Sequence, residues 1–191
     1  MSGHIYIRDA SQHDPFSGAA TFTLRHRLVR ALWQGVWGIF ASWTPPPLRP
    51  WRVWLLRAFG AQVDARANVY GSARIWYPAN LTMAPYAALG PHANCYNMAP
   101  ISIGERAVIS QGAHLCAGTH LIDEPSFQLV AKPIMIGARA WVAAEAFVGP
   151  GVTIGEGAVL GARGVTVKDL APWTVYAGNP ARLIRTRRQG G

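Results

Sequence analysis

The chain has 191 residues, of which 50% are apolar, and this length fits one domain with an extension. Eighteen basic residues against nine acidic ones give a formal net charge of +9, which favours anionic partners such as a nucleotide, a cofactor, a membrane surface or a nucleic acid. Two cysteines do not make a disulfide framework, and no helix-turn-helix, RNP or zinc-finger pattern indicates a nucleic-acid-binding protein.

The N-terminal part, residues 1–62, is predicted to form an arm followed by two aromatic-rich helices. Apolar residues recur at helical spacing over residues 22–43, and the prolines that follow end this helix. A second helix is predicted over residues 51–59, and five of the eight tryptophans lie in these two segments. We expect both helices to pack on the first repeat that follows them and to cover its open edge.

The same N-terminal part of the chain indicates the cellular location of the protein. Its first residues lack a signal-peptide pattern, and the longest apolar stretch, residues 31–43, is too short to span a bilayer as a straight helix. We therefore expect a cytoplasmic protein. The tryptophans and arginines leave a second interpretation open, a peripheral contact with the inner face of the membrane.

A six-residue rhythm starts near Val63 and continues to residue 169. From Ile136 it reads IGARAW, VAAEAF, VGPGVT, IGEGAV and LGARGV, and upstream it reads IGERAV, ISQGAH and LCAGTH. Such hexads are typical of a parallel β-helix, in which three hexads close one triangular coil and coils stack about 4.8 Å apart. The first and fifth residues point inward, and Gly or Ala is favoured where the backbone turns tightly. The sequence therefore predicts a mainly β fold, with a parallel β-helix over residues 63–169.

Two interruptions break the rhythm. Two extra residues fall at 98–100, and a longer stretch, LIDEPSFQLVAKP at 121–133, fits no hexad and is predicted to leave the coils as an excursion loop. Loops that interrupt a regular scaffold often carry function. After the last hexad, residues 170–191 are predicted to form a turn, a short C-terminal helix and a basic tail.

His120 closes a regular hexad directly before the excursion loop, and the sixth position of a hexad faces outward. A neutral imidazole is a suitable general base near pH 7, with a solvated corner histidine as the alternative.

Asn94 occupies the same position four hexads earlier, once the two extra residues are set aside. That spacing is one full coil plus one face, so the two side chains project from different faces. They can share a site only if a neighbouring subunit supplies one of them, which predicts a three-fold oligomer.

A metal site is not predicted. The candidate ligands are His92, His114 and His120, but His92 is fourth in its hexad whereas the other two are sixth. The three imidazoles therefore do not share one column, as a common zinc ion would require. His114 is interpreted as a structural or interface residue.

The chain resembles the hexapeptide-repeat O-acetyltransferases, such as the maltose, galactoside and Nod-factor acetyltransferases. Three stretches carry the likeness: THLID from Thr119, WVAAEAFVGPGVTIGEGAVLGARGVTVKD from Trp141, and AGNPARLIR from Ala177. It covers residues 60–187. The aromatic helices and the segment LLRAFGA are similar, more specifically, to the acetyltransferases of colanic-acid and other exopolysaccharide clusters, the WcaF type, back to residue 22.

This resemblance implies a left-handed parallel β-helix that works as a homotrimer and binds acetyl-CoA between subunits. In the family the acetyl group passes directly to an acceptor hydroxyl, without a metal or an acyl-enzyme. His120 matches the catalytic histidine that removes the hydroxyl proton, and Asn94 matches an asparagine of the active site. Asp123 matches an aspartate that orients the loop or the ligand, so Asn94 and Asp123 are the expected acceptor contacts.

For the coenzyme, the resemblance implies contacts in the last coils. The backbone N–H of Ala144 aligns with the donor that stabilises the oxyanion beside the cofactor. Trp141 matches a tryptophan next to the cofactor, and Ala162 matches a backbone contact to the pantetheine arm. Three cations fall at positions associated with the CoA phosphates: Lys168, Arg182 and Arg185.

The acceptor is less well defined by the resemblance. The sugar acetyltransferases carry an acidic residue in the stretch where this chain has Met98, Ala99 and Pro100, and their N-terminal substrate-binding segment is replaced by the aromatic helices. We expect transfer to a hydroxyl of a sugar, a nucleotide-sugar or a lipid-linked sugar in exopolysaccharide or glycan assembly. Two alternatives stay open: a non-catalytic β-helix scaffold or binding protein, and an acetyltransferase for serine or another small molecule.

Overall fold

The repeats fold into three columns of short parallel strands. The computed structural model describes residues 22–125 and 127–188, together with the backbone of residues 5–6. Strands of successive coils pair in register, so the chain forms a parallel solenoid of about six turns. The predicted mainly β architecture, with helices at its N-terminal end, is confirmed.

We name the columns by the order in which the chain reaches them. The first face contains β2 Gln62–Val63, β5 Leu81–Met83, β8 Ile101–Ile103, β13 Ile134–Ile136 and β16 Thr153–Ile154. The second face contains β3 Asn68–Val69, β6 Ala88–Leu89, β9 Val108–Ile109, β14 Trp141–Val142, β17 Val159–Leu160 and β19 Thr174–Ala177. The third face contains β4 Arg74–Ile75, β7 Asn94–Tyr96, β10 His114–Cys116, β15 Phe147–Val148 and β18 Val165–Thr166. The second corner joins the second face to the third, and the third corner joins the third face to the next coil.

The regular hexads bury their first and fifth residues, as predicted, but LCAGTH departs from the rule: Leu115 is buried, whereas Thr119 is exposed on a strand that leaves the coils. Ile136 and Ala140 are buried in one hexad, and Val142 and Ala146 are buried in the next. Residues at equal positions pair across coils, so that Val142 lies beside Ile109 of the coil below. Stacking of like positions therefore turns the repeat into a continuous aliphatic core.

Two corners are longer than the repeat requires, and the sequence predicted one of them. The inward residues Cys95 and Ile103 are separated by eight positions instead of six, in agreement with the extra residues at 98–100. Ile75 and Met83 have the same longer spacing, which the prediction missed.

Two helices cover the open end of the first coil, as expected. Helix α1 spans Leu24–Phe40, and helix α2 spans Arg49–Ala58 after a short 3-10 turn. The indole N–H of the buried Trp33 donates to the carbonyl of Ile75 at 2.7 Å, which ties α1 to the third face. Across the described residues, neither helix combines the length and the hydropathy that a membrane crossing needs.

Arg52 of α2 satisfies backbone groups at this end of the solenoid. Its side chain is 1% exposed. Its Nε donates to the carbonyl of Val69 at 2.7 Å, and its Nη1 donates to the hydroxyl of Thr44 at 2.8 Å and to the carbonyl of Pro45 at 3.0 Å. Because buried backbone carbonyls need partners, this arginine is part of the cap and its burial lowers its pKa.

The excursion between the third and fourth coils is an antiparallel hairpin. Strand β11, Gly118–His120, pairs with β12, Leu129–Ala131, so the departure from the coils starts before residue 121. Strand β1, Ile5–Tyr6, pairs with the outer side of β12. The N-terminal arm thus adds a third strand to the hairpin.

The predicted short C-terminal helix is wrong. Residues 182–186 form a strand, β20 Arg182–Thr186, which pairs antiparallel with β19. β19 pairs with β17 on its other side, so it is the last strand of the second face. A returning strand supplies hydrogen-bond partners to that terminal edge, whereas a helix would leave the edge groups uncovered.

Candidate active site

His120 lies at the end of β11, and its contacts determine which of its ring nitrogens carries the hydrogen. Its ring stacks on that of Phe127 with centroids 4.2 Å apart and planes 14° apart. Its Nδ1 lies 2.8 Å from the carbonyl oxygen of Phe127. Because a carbonyl only accepts, Nδ1 carries the hydrogen, and Nε2 of the neutral ring is left with a lone pair. The arrangement suits a base that accepts a proton at Nε2.

Backbone turns in the excursion loop place that carbonyl. Phe127 has a φ of +46°, a region that bulky residues rarely adopt. Its N–H donates to the carbonyl of Glu124 at 2.9 Å, and the N–H of Leu121 donates to the carbonyl of Gln128 at 2.9 Å. The same left-handed conformation recurs at coil corners of this chain, for example at Arg106 and Arg139, so at Phe127 it marks a tight turn.

A glycine, Gly118, stands at the root of the hairpin. A Cβ on Gly118 would lie 2.5 Å from the sulfur of Met98 and 3.3 Å from the ring of Tyr96. Both neighbours belong to the coil below, close to the predicted insertion. A side chain at position 118 would have to displace the flexible end of Met98, and glycine lets the hairpin leave the third face without that shift.

Asn94 projects from the third face and is oriented by His114. The two residues are register partners on β7 and β10, and Asn94 Nδ2 lies 3.3 Å from His114 Nε2. The imidazole also packs edge-on against Phe147 with centroids 5.3 Å apart. Burial lowers the pKa of His114, which keeps its ring neutral at pH 7 and able to accept from the amide.

Trp141, Ala144 and Ala162 line the second face and the second corner. The indole N–H of Trp141 donates to the hydroxyl of Ser110 at 2.8 Å, and 46% of the tryptophan remains exposed. Ala144 and Ala162 are third in their hexads and lie on neighbouring coils, joined by the bond from the N–H of Arg163 to the carbonyl of Ala144 at 2.9 Å. Within the described residues their own amide N–H groups have no partner, so both can donate to a ligand.

The predicted phosphate contacts lie on exposed backbone near further arginines. Lys168, Arg182 and Arg185 are all exposed. A cavity of about 460 Å³ is lined by Arg185 with two residues that the sequence reasoning missed, Arg187 and Arg188. Three neighbouring guanidinium groups favour an anionic ligand.

A second basic groove, of about 450 Å³, crosses the second face and was also missed. It is lined by Arg106, Arg139, Trp141 and Arg187, among others. Arg187 Nη1 donates to the carbonyl of Arg139 at 3.0 Å. The signal was present in the sequence, because Arg106 and Arg139 hold the same fourth position in IGERAV and IGARAW.

The predicted site residues fall into two groups within one chain. His120 and Asp123 belong to the hairpin, which leaves at the end of the third face, and Lys168 lies at the third corner. The second group lies on the opposite side of the third face, at or next to the second corner, and contains Trp141, Ala144 and Ala162. The strand β20 adds Arg182 and Arg185. Asn94 starts its strand near the second corner, apart from His120.

Thiol chemistry has little support in this structure. Cys95 is fully buried, and burial raises the pKa of its thiol to about 12, while burial also raises the pKa of Cys116. Within the described ranges, no cluster of three His, Cys, Asp or Glu side chains is arranged to hold a metal ion.

Solved structures with the same architecture include acetyltransferases. A maltose O-acetyltransferase from Clostridium difficile 630 matches 87% of this chain and 90% of its own, with 24% identity and a TM-score of 0.77. A hexapeptide-repeat acetyltransferase from Vibrio cholerae O1 biovar eltor, solved with acetyl coenzyme A, matches 95% of this chain and all of its own, with 20% identity and a TM-score of 0.78. At this level of identity the likeness establishes the fold.

Sequence relatives establish the family. No protein-family model matches the chain. The candidate colanic acid biosynthesis acetyltransferase WcaF of Escherichia coli (strain K12) is 43% identical over 156 residues, which are 82% of this chain and 86% of the relative. The galactoside O-acetyltransferase of the same strain is 33% identical over 88 residues, 44% of this chain and 43% of the relative. The chain therefore belongs to the hexapeptide-repeat acetyltransferases with a left-handed β-helix. Within them it is a homologue of WcaF.

Proposed function

We propose that this chain transfers an acetyl group from acetyl-CoA directly to a sugar hydroxyl, with His120 as the general base. The observation that carries the proposal is the bond from His120 Nδ1 to the carbonyl of Phe127, because it leaves Nε2 free to accept a proton. The acceptor oxygen attacks the thioester carbonyl, a C–O bond forms, and the C–S bond breaks. The proton passes from the hydroxyl to Nε2 and from there to the departing CoA thiolate.

The remaining residues stabilise and position the reactants in this proposal. The amide N–H of Ala144 donates to the oxyanion, a contribution that is typically about 3 kcal/mol. The side chains of Asn94 and Asp123 contact the acceptor. Trp141 and Ala162 hold the pantetheine arm, and the phosphates of CoA bind the arginine-lined cavities together with Lys168, Arg182 and Arg185.

A trimer is part of the same proposal. His120 and Lys168 lie on one side of the third face, whereas Trp141, Ala144 and Ala162 lie on the other, so one chain does not gather the base and these coenzyme residues. In a three-fold assembly, the hairpin of one subunit would meet the second corner of its neighbour, and each interface would hold one complete site. The relation to WcaF supports a role in exopolysaccharide assembly.

A transfer assay tests this function. We expect the purified protein, mixed with acetyl-CoA and a panel of sugars, nucleotide-sugars and lipid-linked sugars, to release CoA and to add one acetyl group to a member of the panel. Product mass identifies the acceptor. Coenzyme binding in calorimetry without transfer to any panel member would mean an acceptor outside the panel, and the absence of binding would contradict the proposal.

We also propose that the enzyme binds an anionic membrane surface. Helix α1 carries a second apolar stripe, opposite the buried tryptophans, in which Leu24, Leu28, Leu32 and Ile39 are 60–66% exposed. Trp43 continues the stripe and is 71% exposed. Residues 22–63 contain six arginines and no acidic residue. Apolar side chains next to arginines favour the interface of a bilayer with anionic headgroups over a second copy of this basic chain.

Vesicle sedimentation tests the membrane contact. We expect binding to vesicles that contain phosphatidylglycerol and weak binding to phosphatidylcholine alone. Leu28→Gln should weaken binding about tenfold or more, because burying one leucine side chain contributes about 1.5–3 kcal/mol. Met135→Gln, at a residue of the first face that is 52% exposed, should leave binding unchanged. If Leu28→Gln binds the vesicles as tightly as the wild type, the stripe does not contact the membrane. If the variant changes the oligomer size and the wild type does not bind lipid, the stripe contacts another copy of the chain.

A further inference from the structure

A cavity of about 460 Å³ lies between α1 and the lower end of the third face. Trp33, Trp37 and Trp76 contribute aromatic walls, and Arg74 and Asn94 contribute polar groups. Its size falls within the range of small-molecule sites, and mostly apolar walls with a few polar groups are typical of them. Because Asn94 is also a residue of the proposed active site, the cavity opens onto the position of the acceptor.

Arg74 is the charged member of the described lining, and its side chain is exposed to solvent. Neither a hydrogen bond nor an ion pair to its guanidinium is present among residues 22–125 and 127–188. Two arginines of α2 and the first coil are engaged: Arg57 Nε donates to the carbonyl of Val63 at 2.6 Å, and Arg66 pairs with Asp64 at 3.0 Å. The guanidinium of Arg30 lies 4.3 Å from the centre of the Trp76 ring, and its buried Nε has no hydrogen-bond partner among the described residues. An arginine without a partner among the described residues, in a cavity whose described lining has no carboxylate, favours an anion as ligand.

The register of the third face sets the distance between that anion and the acceptor hydroxyl. Arg74 and Asn94 are partners on the neighbouring strands β4 and β7, and both side chains project outward. Adjacent strands lie about 4.8 Å apart, which is comparable to the width of one sugar ring. A sugar bound beside Asn94 can therefore place an anionic substituent at Arg74, with the indole rings against its C–H groups.

We infer that the acceptor is a phosphorylated sugar, whose phosphate or diphosphate binds Arg74 while its reactive hydroxyl lies beside Asn94. The inference rests on the proposed function and narrows its acceptor class. A planar guanidinium binds phosphate oxygens through paired hydrogen bonds, which gives both affinity and orientation. A soluble nucleoside diphosphate sugar and a lipid-linked diphosphate sugar present the same anion, so the chemistry at Arg74 is shared by both sources.

Binding in the absence of acetyl-CoA tests the inference without depending on turnover. Tryptophan fluorescence is followed while glucose, α-D-glucosyl phosphate, UDP-glucose or a short-chain polyprenyl diphosphate glucose in detergent is added. We expect the phosphorylated compounds to bind more tightly than glucose, and Arg74→Gln to weaken that binding by about 10- to 100-fold, the usual effect of losing a charge-assisted hydrogen bond. Arg66→Gln is the matched control, because Arg66 is exposed and lies outside the cavity. Preference for UDP-glucose or for the polyprenyl compound would identify the source of the phosphate.

Steady-state kinetics with an acceptor found by the transfer assay give a second readout. Arg74→Gln should raise KM for a phosphorylated acceptor by a similar factor, leave KM for acetyl-CoA unchanged, and be partly rescued by Arg74→Lys. Equal binding of phosphorylated sugars by wild type and Arg74→Gln would overturn the inference. Efficient acetylation of an unphosphorylated sugar, insensitive to Arg74, would also overturn it while leaving the proposed acetyltransferase function intact.

Discussion

Replacing His120 with asparagine should lower kcat by about 10²- to 10⁴-fold, the range expected when a general base is lost. Asparagine is chosen because its Nδ2 can still donate to the carbonyl of Phe127, so the loop keeps its closing contact. It offers no basic nitrogen in the place of Nε2. The measurement is the rate of CoA release at saturating acetyl-CoA and acceptor.

The matched control is His92→Asn. His92 is an exposed corner histidine with a φ of +55°, a conformation that asparagine tolerates. This variant should keep wild-type turnover. Both variants should also bind CoA with unchanged affinity, since neither changes the groove residues. Wild-type turnover by His120→Asn would exclude His120 from the chemical step, and a parallel loss in His92→Asn would point to a general effect of removing a histidine.

The sequence was most informative where one local rule repeats. In the hexads from Ile136, the period of six determines which side chains are inward, because every coil stacks like positions on one another. The excursion loop was visible for the same reason, as a stretch that fits no hexad. The prediction missed the longer spacing between Ile75 and Met83, since residues 61–93 contain only two glycines, Gly71 and Gly90, to mark their corners.

Contacts between distant segments were beyond the sequence. The carbonyl of Phe127 reaches His120 only because the loop backbone takes a left-handed turn, and no residue pattern indicates that turn. Arg52 donates hydrogen bonds to backbone carbonyls, whereas Arg74 has no partner among the described residues. This difference depends on which carbonyls and carboxylates the fold brings near each guanidinium. The C-terminal hairpin was read as a helix because the edge it covers exists only once the last coil has formed.

A mixed trimer built from two inactive variants should recover about one third of wild-type activity, because one of its three interfaces combines an intact His120 with an intact Asn94. The parents are His120→Asn and Asn94→Ala. The second should lose about 10²-fold in kcat/KM, as is typical when a hydrogen-bonding group at the reacting centre is removed. Each parent lacks one group at every interface and is inactive alone.

The experiment uses co-expression with two affinity tags and purification through both, which retains mixed assemblies and discards the parents. A mixed trimer contains two His120→Asn subunits and one Asn94→Ala subunit, or the reverse. In both cases, one of the three interfaces has an Asn94→Ala subunit on the side that supplies His120 and a His120→Asn subunit on the side that supplies Asn94. That interface receives its base from the first and its amide from the second. Two differently tagged copies of His120→Asn, carried through the same purification, control for the tags and should stay inactive.

The result decides how the site is assembled. Recovery requires that His120 and Asn94 come from different subunits, as their positions on the third face and on the hairpin indicate. If the mixed trimer is no more active than its parents, each chain builds its own site, and the hairpin must then fold back over its own third face to bring His120 to Asn94. A monomer by light scattering, with full activity in the wild type, would lead to that same conclusion without any mixing.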